Sequence, residues 1–179
     1  MKKISGFFLL LLLISSGCNE VENLKSNKKK NIIKMVDQEV KDFITDQYDF
    51  LSVGSIDIAE KIFSKDATIF GTDEEEYLIG WEEIKPAILG KIEAIENPKF
   101  VTRNLRVVVG DNGQMASYSQ ILNFSYRTPT TESSSGVKYE IDDIRNSGVI
   151  KKIDGNWKIV QIHWSKGVKG QAIEYEFQK

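Results

Sequence analysis

An α+β fold, with helices packed on one face of a curved and mostly antiparallel sheet, is predicted by three observations on this chain. Apolar residues recur at helical spacing in segments between residues 36 and 95. From residue 100 to 165 the chain turns to long runs rich in β-branched and aromatic side chains. Those runs are divided by the turn signals Asp111-Asn112-Gly113 and Asp154-Gly155 and by a Ser/Thr/Gly-rich stretch over 128–138.

The first element is a targeting segment. Met1-Lys2-Lys3 is a short basic start, Phe7 to Ile14 is an unbroken apolar run, and Ser15-Ser16-Gly17 precede Cys18. This is the layout of a secretory signal over residues 1–17. The apolar run falls short of the roughly 20 residues that a membrane-spanning helix requires. Cys18 is the sole cysteine of the chain, so no internal disulfide forms, and a free thiol is unwelcome in an oxidising compartment. The stretch resembles a bacterial lipobox, with Ser15 where an aliphatic residue is usual. The resemblance implies lipidation of Cys18, export across the inner membrane and anchoring in the cell envelope, at the periplasm or the cell surface. Residues 19–34, rich in Asn, Lys and Glu, read as a flexible tether. Such a tether would span about 20–25 Å. The domain is placed at 35–179.

Within it, Val36, Val40, Phe43, Ile44, Tyr48 and Leu51 define one face of a helix, and Ser55 is set to cap a second that holds Ile58, Ala59, Ile62 and Phe63. A strand from Ala67 to Phe70 and another from Tyr77 to Ile79 flank an acidic turn whose three glutamates read as solvated. Gly80-Trp81 opens a third helix with Ile84, Ile88, Ile92 and Ile95 on one face. Pro86 predicts a late start or irregular geometry there, and Asn97-Pro98 an end. Strands follow over 100–109, 115–127, 139–153 and 157–165, an antiparallel meander.

Composition narrows the function. A formal charge of −2 gives no electrostatic footprint for nucleic acid. One cysteine and one histidine cannot build a four-ligand structural zinc site, and no motif calls for a cofactor.

The stretch Ile62-Phe63-Ser64-Lys65-Asp66-Ala67-Thr68-Ile69-Phe70-Gly71-Thr72-Asp73 is similar to the second-helix exit and first strand of SnoaL-like domains, which belong to the nuclear transport factor 2-like superfamily. Gly80-Trp81-Glu82-Glu83-Ile84 resembles their third-helix start. Arg145-Asn146-Ser147-Gly148-Val149 and the run Asp154 to Ser165 resemble their last two strands. The ordered set covers about residues 36–168. It implies a cone, three helices wrapped by a strongly curved sheet with a pocket at the open end, and pairing of two copies through the sheet. The superfamily holds isomerases, dehydratases, cyclases, binders and assembly domains, so it implies no single reaction.

Strand alternation sets Trp157, Ile159, Gln161 and His163 on one face of the last strand, with Ser165 two residues further on. His163, the sole histidine, is the candidate general base; a buried structural histidine is the alternative. Ser165 lies about 6–7 Å from it along a strand, too far for a direct couple. Arg145 is read as an oxyanion stabiliser or a structural ion-pair partner. Tyr48, Trp81, Tyr118 and Phe124 are candidates for an aromatic lining of the pocket, or for core, Arg145, Gln161 and Ser165 are candidates for the rest of its lining, and Trp157 is assigned to the core. Two functions follow: a non-catalytic domain on a lipid tether that binds a small hydrophobic or anionic molecule or assembles as a homodimer, and an isomerase-, dehydratase- or cyclase-type enzyme using His163.

Overall fold

The structure is a computed structural model that describes residues 8–131 and 135–167, with side chains from residue 26 onward. The basic start Met1-Lys2-Lys3 of the expected signal and the end of the expected domain beyond residue 167 lie outside the described residues.

Helix α1 spans Phe8–Asp46. Val36, Val40 and Ile44 are buried along one stripe of it, because positions four apart stack on one helical face. The helix continues through residues 19–34, where the composition predicts a flexible tether. The physical reason is in the residues: no Gly or Pro occurs between Asn19 and Asp46, and Lys, Glu and Leu are good helix formers. Once the packed turns around Val40 have nucleated a helix, extending it is cheap. Lys29 adds an ion pair to Asp111, 3.2 Å away. Among the described residues no helix is long and apolar enough to cross a membrane.

The helix expected over 36–51 is in fact divided. α1 stops at Asp46, and a short α2 follows at Asp49–Val53, closed by Gly54 in the left-handed conformation with φ 69°. α3 spans Ile56–Ile62 behind Ser55, which has the extended backbone of an N-cap but makes no side-chain capping bond. Strand β1, Phe63–Phe70, turns back into β2, Tyr77–Ile79. α4, Trp81–Ala94, buries Trp81, Ile84 and Ile88. Pro86 lies inside it rather than in its first turn. Both Pro86 and Glu82, whose carbonyl loses its helical donor, are exposed, so water satisfies what the ring removes.

The remaining strands are β3 Glu96–Val109, β4 Met115–Arg127, β5 Lys138–Ile153 and β6 Asn156–Lys166. They form one six-stranded sheet in the order β2-β1-β6-β5-β4-β3. β1 runs parallel to β6 and the other neighbours are antiparallel. The mixed α+β fold is therefore as expected from sequence. Bulges interrupt the ladders at Asn104 (φ 53°), near Asp143 (φ 59°) and at Val160. Each bends its strand and increases the local twist, so the sheet wraps the helices. Ile44, Ile84, Leu122, Ile150 and Ile159 are the most deeply buried side chains between the two layers.

Candidate functional site

The wrapped sheet leaves a cavity of about 520 Å³ between the α1–α2 junction, α2, α4 and the inner face of the strands. Its walls are apolar: Ile69, Ile144, Ile159 and Ile162 from the sheet, Leu51 and Ile88 from the helices, and an aromatic group of Tyr48, Phe100, Phe124, Tyr126 and Trp164.

The aromatic group is a ladder of stacked rings. Tyr48 lies on Phe100 at 4.2 Å between centroids, Phe100 on Phe124 at 4.5 Å, and Phe124 on Tyr126 at 5.0 Å. Tyr139 extends it by a further 5.1 Å. Strand geometry produces this. Phe100 faces Phe124 directly across β3 and β4, Phe124 and Tyr126 are two apart on one strand, and Tyr126 faces Tyr139 across β4 and β5. Trp164 meets Tyr48 edge-on at 5.3 Å.

Behind this wall lies a buried polar network. The break between α1 and α2 turns Gln47 and Tyr48 into the core. Tyr48 Oη donates to Asn146 Oδ1 at 3.2 Å, and Gln120 Nε2 donates to the same oxygen at 2.8 Å. Asn146 Nδ2 donates to the His163 carbonyl at 3.1 Å. Tyr118 Oη donates to Gln47 Oε1 at 3.0 Å, and Gln47 Nε2 to the Ile44 carbonyl at 2.9 Å. Burial raises the pKa of the Tyr48 and Tyr118 phenols, so both stay protonated donors at neutral pH.

The cavity mouth is built by the β1–β2 turn, α4 and the end of β6. Glu76 holds the turn: its carboxylate accepts the backbone N–H of Thr72 at 3.0 Å and pairs with Lys91 of α4 at 2.6 Å. Partial burial raises its pKa, but the hydrogen bond and charge of Lys91 and the turn's N–H groups outweigh this and leave it below the usual carboxylate range. A Cβ on Gly71 would lie 2.0 Å from the Glu76 carboxylate, so the turn closes this tightly only because residue 71 is glycine. Lys166 lines the same mouth and is exposed.

The structure sorts the expected site residues into three groups. Tyr48 and Phe124 line the cavity. Trp81 and Tyr118 are core: Trp81 stacks against Phe63 at 6.4 Å, and Tyr118 is tied to Gln47. His163, Arg145, Gln161 and Ser165 are on the other side of the sheet, which corrects the expectation that they face the cone interior. Arg145 lies outward by plain alternation on β5, between the inward Ile144 and Asn146; for the three residues of β6 the cause is the bulge at Val160. Ile150 pairs with Ile159, whereas its neighbour Val149 pairs with Gln161, so one extra residue on β6 inverts the alternation. Trp157 and Ile159 point inward before it, and Ile162 and Trp164 after it. His163 is exposed. It shares an outer depression with Arg106, Arg145, Ser147 and Ser165, and its ring meets Phe70 edge-on at 6.0 Å. The two candidate roles of Arg145 meet the same fact: it is exposed on the outer face, directly opposite Ser165.

Sequence reasoning missed Phe100, Trp164, Gln47, Asn146 and the Glu76–Lys91 latch. Phe100 was legible as a large aromatic at the head of a predicted strand. Trp164 fell on the wrong face because a bulge leaves no residue signature here. The acidic turn is divided: Glu74 and Glu75 are exposed, whereas Glu76 is engaged. Among the described residues no group of three or more His, Cys, Asp or Glu side chains is placed to hold a metal ion.

A family model described as a SnoaL-like domain matches residues 40–169. No curated protein matches the chain. Among solved structures, a nuclear transport factor 2-like superfamily protein from Salmonella enterica superposes with a TM-score of 0.64 at 18% identity, covering 79% of this chain and 98% of its own. A protein provisionally assigned as a dehydratase of the same superfamily, from Streptomyces avermitilis, gives 0.63 at 16% identity, covering 74% and 97%. The association domain of C. elegans CaMKII gives 0.55 at 15%, covering 74% and 97%. At these identities the likeness is one of fold.

Proposed function

The chain belongs to the SnoaL-like domain family, and on that premise we propose that it is a binding protein that holds a small, largely apolar molecule in its cone. The observation that carries this is the chemistry of the cavity lining. Among the described residues its one carboxylate, Glu76, is bound to Lys91 and the turn backbone at the mouth. An isomerase- or dehydratase-type reaction needs a base within hydrogen-bond reach of the substrate, and the candidate base His163 lies across the sheet from the cavity. Apolar walls with few polar groups are what a ligand site of this size requires.

The expected address completes the proposal: export by the N-terminal signal, lipid on Cys18, and display of the domain in the cell envelope. Labelling of the full chain with a radioactive fatty acid tests it. Incorporation that is lost in Cys18→Ser supports the anchor, and an unlabelled wild-type chain refutes it.

The binding function is tested with the neutral fluorophore N-phenyl-1-naphthylamine. Saturable binding at one site per chain is expected, with loss in Ile144→Trp, which fills the cavity with an indole. Unchanged binding in that variant would refute the proposal.

A second reading, assembly of two copies through the outer sheet face, is favoured by a separate observation. Phe70, Tyr77 and Ile79 are exposed side by side on the paired strands β1 and β2, and clustered exposed apolar residues mark interaction surfaces. The CaMKII neighbour is an association domain by its own description. Sedimentation equilibrium gives the mass directly: a dimer that dissociates in Phe70→Asp supports this reading, and a monomeric wild-type chain sinks it.

A further inference from the structure

The ladder that lines the cone also restricts what can enter it. We infer that the molecule held there is a single-chain alkyl amphiphile with an acidic head, chain inward and head at the mouth; this rests on the ligand-binding reading above. The first argument is steric. Tyr48, Phe100, Phe124 and Tyr126 are stacked on one another at interplanar angles of 15°, 10° and 25°. Their ring faces are taken up by their neighbours, so the ladder turns ring edges to the cavity. The opposing walls are branched aliphatics such as Ile69 and Ile162. A flat polycyclic ligand gains most from open ring faces, and here they are spent. An alkyl chain needs only edges and methyl groups.

The second argument concerns polarity. At the deep end, Gln47 donates to the Ile44 carbonyl and accepts from Tyr118, and Tyr48 donates to Asn146. Each of these groups already has a partner within the protein, and a ligand polar group placed there would have to compete for it or be desolvated, which is costly. The polar end of the ligand therefore belongs at the mouth. There the charges of Lys91 and Glu76 cancel through their 2.6 Å contact. Lys166 remains, exposed at the rim and without an ion-pair partner among the described residues. Among the described residues the mouth thus carries a net positive charge, which selects an anion.

The experiment is displacement of N-phenyl-1-naphthylamine from the purified domain by a homologous series from octanoate to tetradecanoate, below their micellar concentrations. Dodecanol, dodecyl phosphate, dodecyltrimethylammonium and pyrene are the comparison ligands. Affinity is expected to rise about fourfold per added methylene until the cavity is filled. Dodecanoate or dodecyl phosphate should exceed dodecanol by about threefold to fivefold at low ionic strength, the scale of an exposed ion pair. Whichever acid binds tighter identifies the head as carboxylate or phosphate. Lys166→Glu should abolish the preference for acids while keeping the dependence on chain length. Affinity independent of chain length, pyrene binding more tightly than the acids, or acids no better than the alkylammonium would each overturn the inference while leaving a binding cone. Displacement by nothing, with no fluorophore bound, would overturn the binding function as well.

Discussion

Gly148 and Asn146, two residues apart on the inner face of β5, show how tightly single positions determine the base of the cone. A Cβ on Gly148 would stand 2.7 Å from the Tyr118 ring and 2.7 Å from the Gln161 carbonyl, so Gly148→Ala must displace a packed aromatic or the β6 backbone. We expect a loss of about 1–3 kcal/mol, the usual cost of overpacking, measured by urea denaturation. Asn146 accepts from both Tyr48 and Gln120 through one oxygen. Truncation to Ala strands two buried donors, each worth about 1–3 kcal/mol, so this loss should exceed that of Gly148→Ala. The network also has an alkaline signature. Burial raises the Tyr48 and Tyr118 pKa values above the ordinary 10.0. The unfolded chain therefore releases these protons first. The stability that the protonated phenols contribute is complete below about pH 10 and is lost as pH rises through their folded-state values. Absorbance titration should show two tyrosines that ionise late and together with unfolding. Phenols that all titrate near pH 10 in a folded chain would contradict this network.

At the scale of elements, the β1–β2 turn and strand β6 carry the most consequence. The turn is latched by Glu76, whose pKa is lowered from 4.5 mainly by Lys91, against the opposing effect of burial. A depressed carboxylate stabilises the fold fully above the unfolded value, and that stabilisation is lost as pH falls through the lower folded value. Between neutrality and about pH 4.5 the latch should hold, and below that range the mouth should open. Glu76→Gln should reproduce the open state at pH 7, read as faster ligand dissociation in stopped-flow fluorescence; an unchanged rate would refute the latch. In β6 the bulge at Val160 decides which side chains line the cone. Deleting Val160 removes the extra residue, so Ile159, Ile162 and Trp164 stay inward and Gln161, His163 and Ser165 stay outward in plain alternation. Such a chain should keep a cooperative thermal transition, at a lowered midpoint because the bend that the bulge gives the strand is lost. The contact of α1 with the β3–β4 turn through Lys29 and Asp111 matters less to stability: it is solvent-exposed on both sides, and such pairs contribute about 0–1 kcal/mol.

At the scale of the molecule, the sheet is a partition: an apolar chamber inside, and an outer face bearing Phe70, Tyr77 and His163. The α+β class, the hairpin, the third helix and the four-strand meander were legible because each rests on local chemistry. Val40 and Ile44 recur at 3.6-residue spacing, and the chain reverses at Asp111-Asn112-Gly113 and Asp154-Gly155. Phe124 was legible as lining because the alternation of β4 is undisturbed up to it, and Tyr48 because it continues the apolar stripe of Val40 and Ile44, although the break after Asp46 is what turns it inward. His163, Gln161 and Ser165 were misplaced together, by a single event on β6, whereas Arg145 lies outward because the inward phase of β5 is that of Ile144, Asn146 and Gly148. One extra residue in the β5–β6 ladder inverts every later side chain on β6, and it arises from the demand that a bent sheet close around helices. The Glu76–Lys91 latch and the Gln47–Tyr118 bond join residues far apart in the chain, and no local pattern encodes such a meeting. By itself the sequence determined the elements, their order and the family to which the chain belongs, because hydrophobic period and turn chemistry are local. Only the tertiary structure decided which face of β6 meets the cavity and which polar groups remain free for a ligand, because register and burial are properties of strands after they pair.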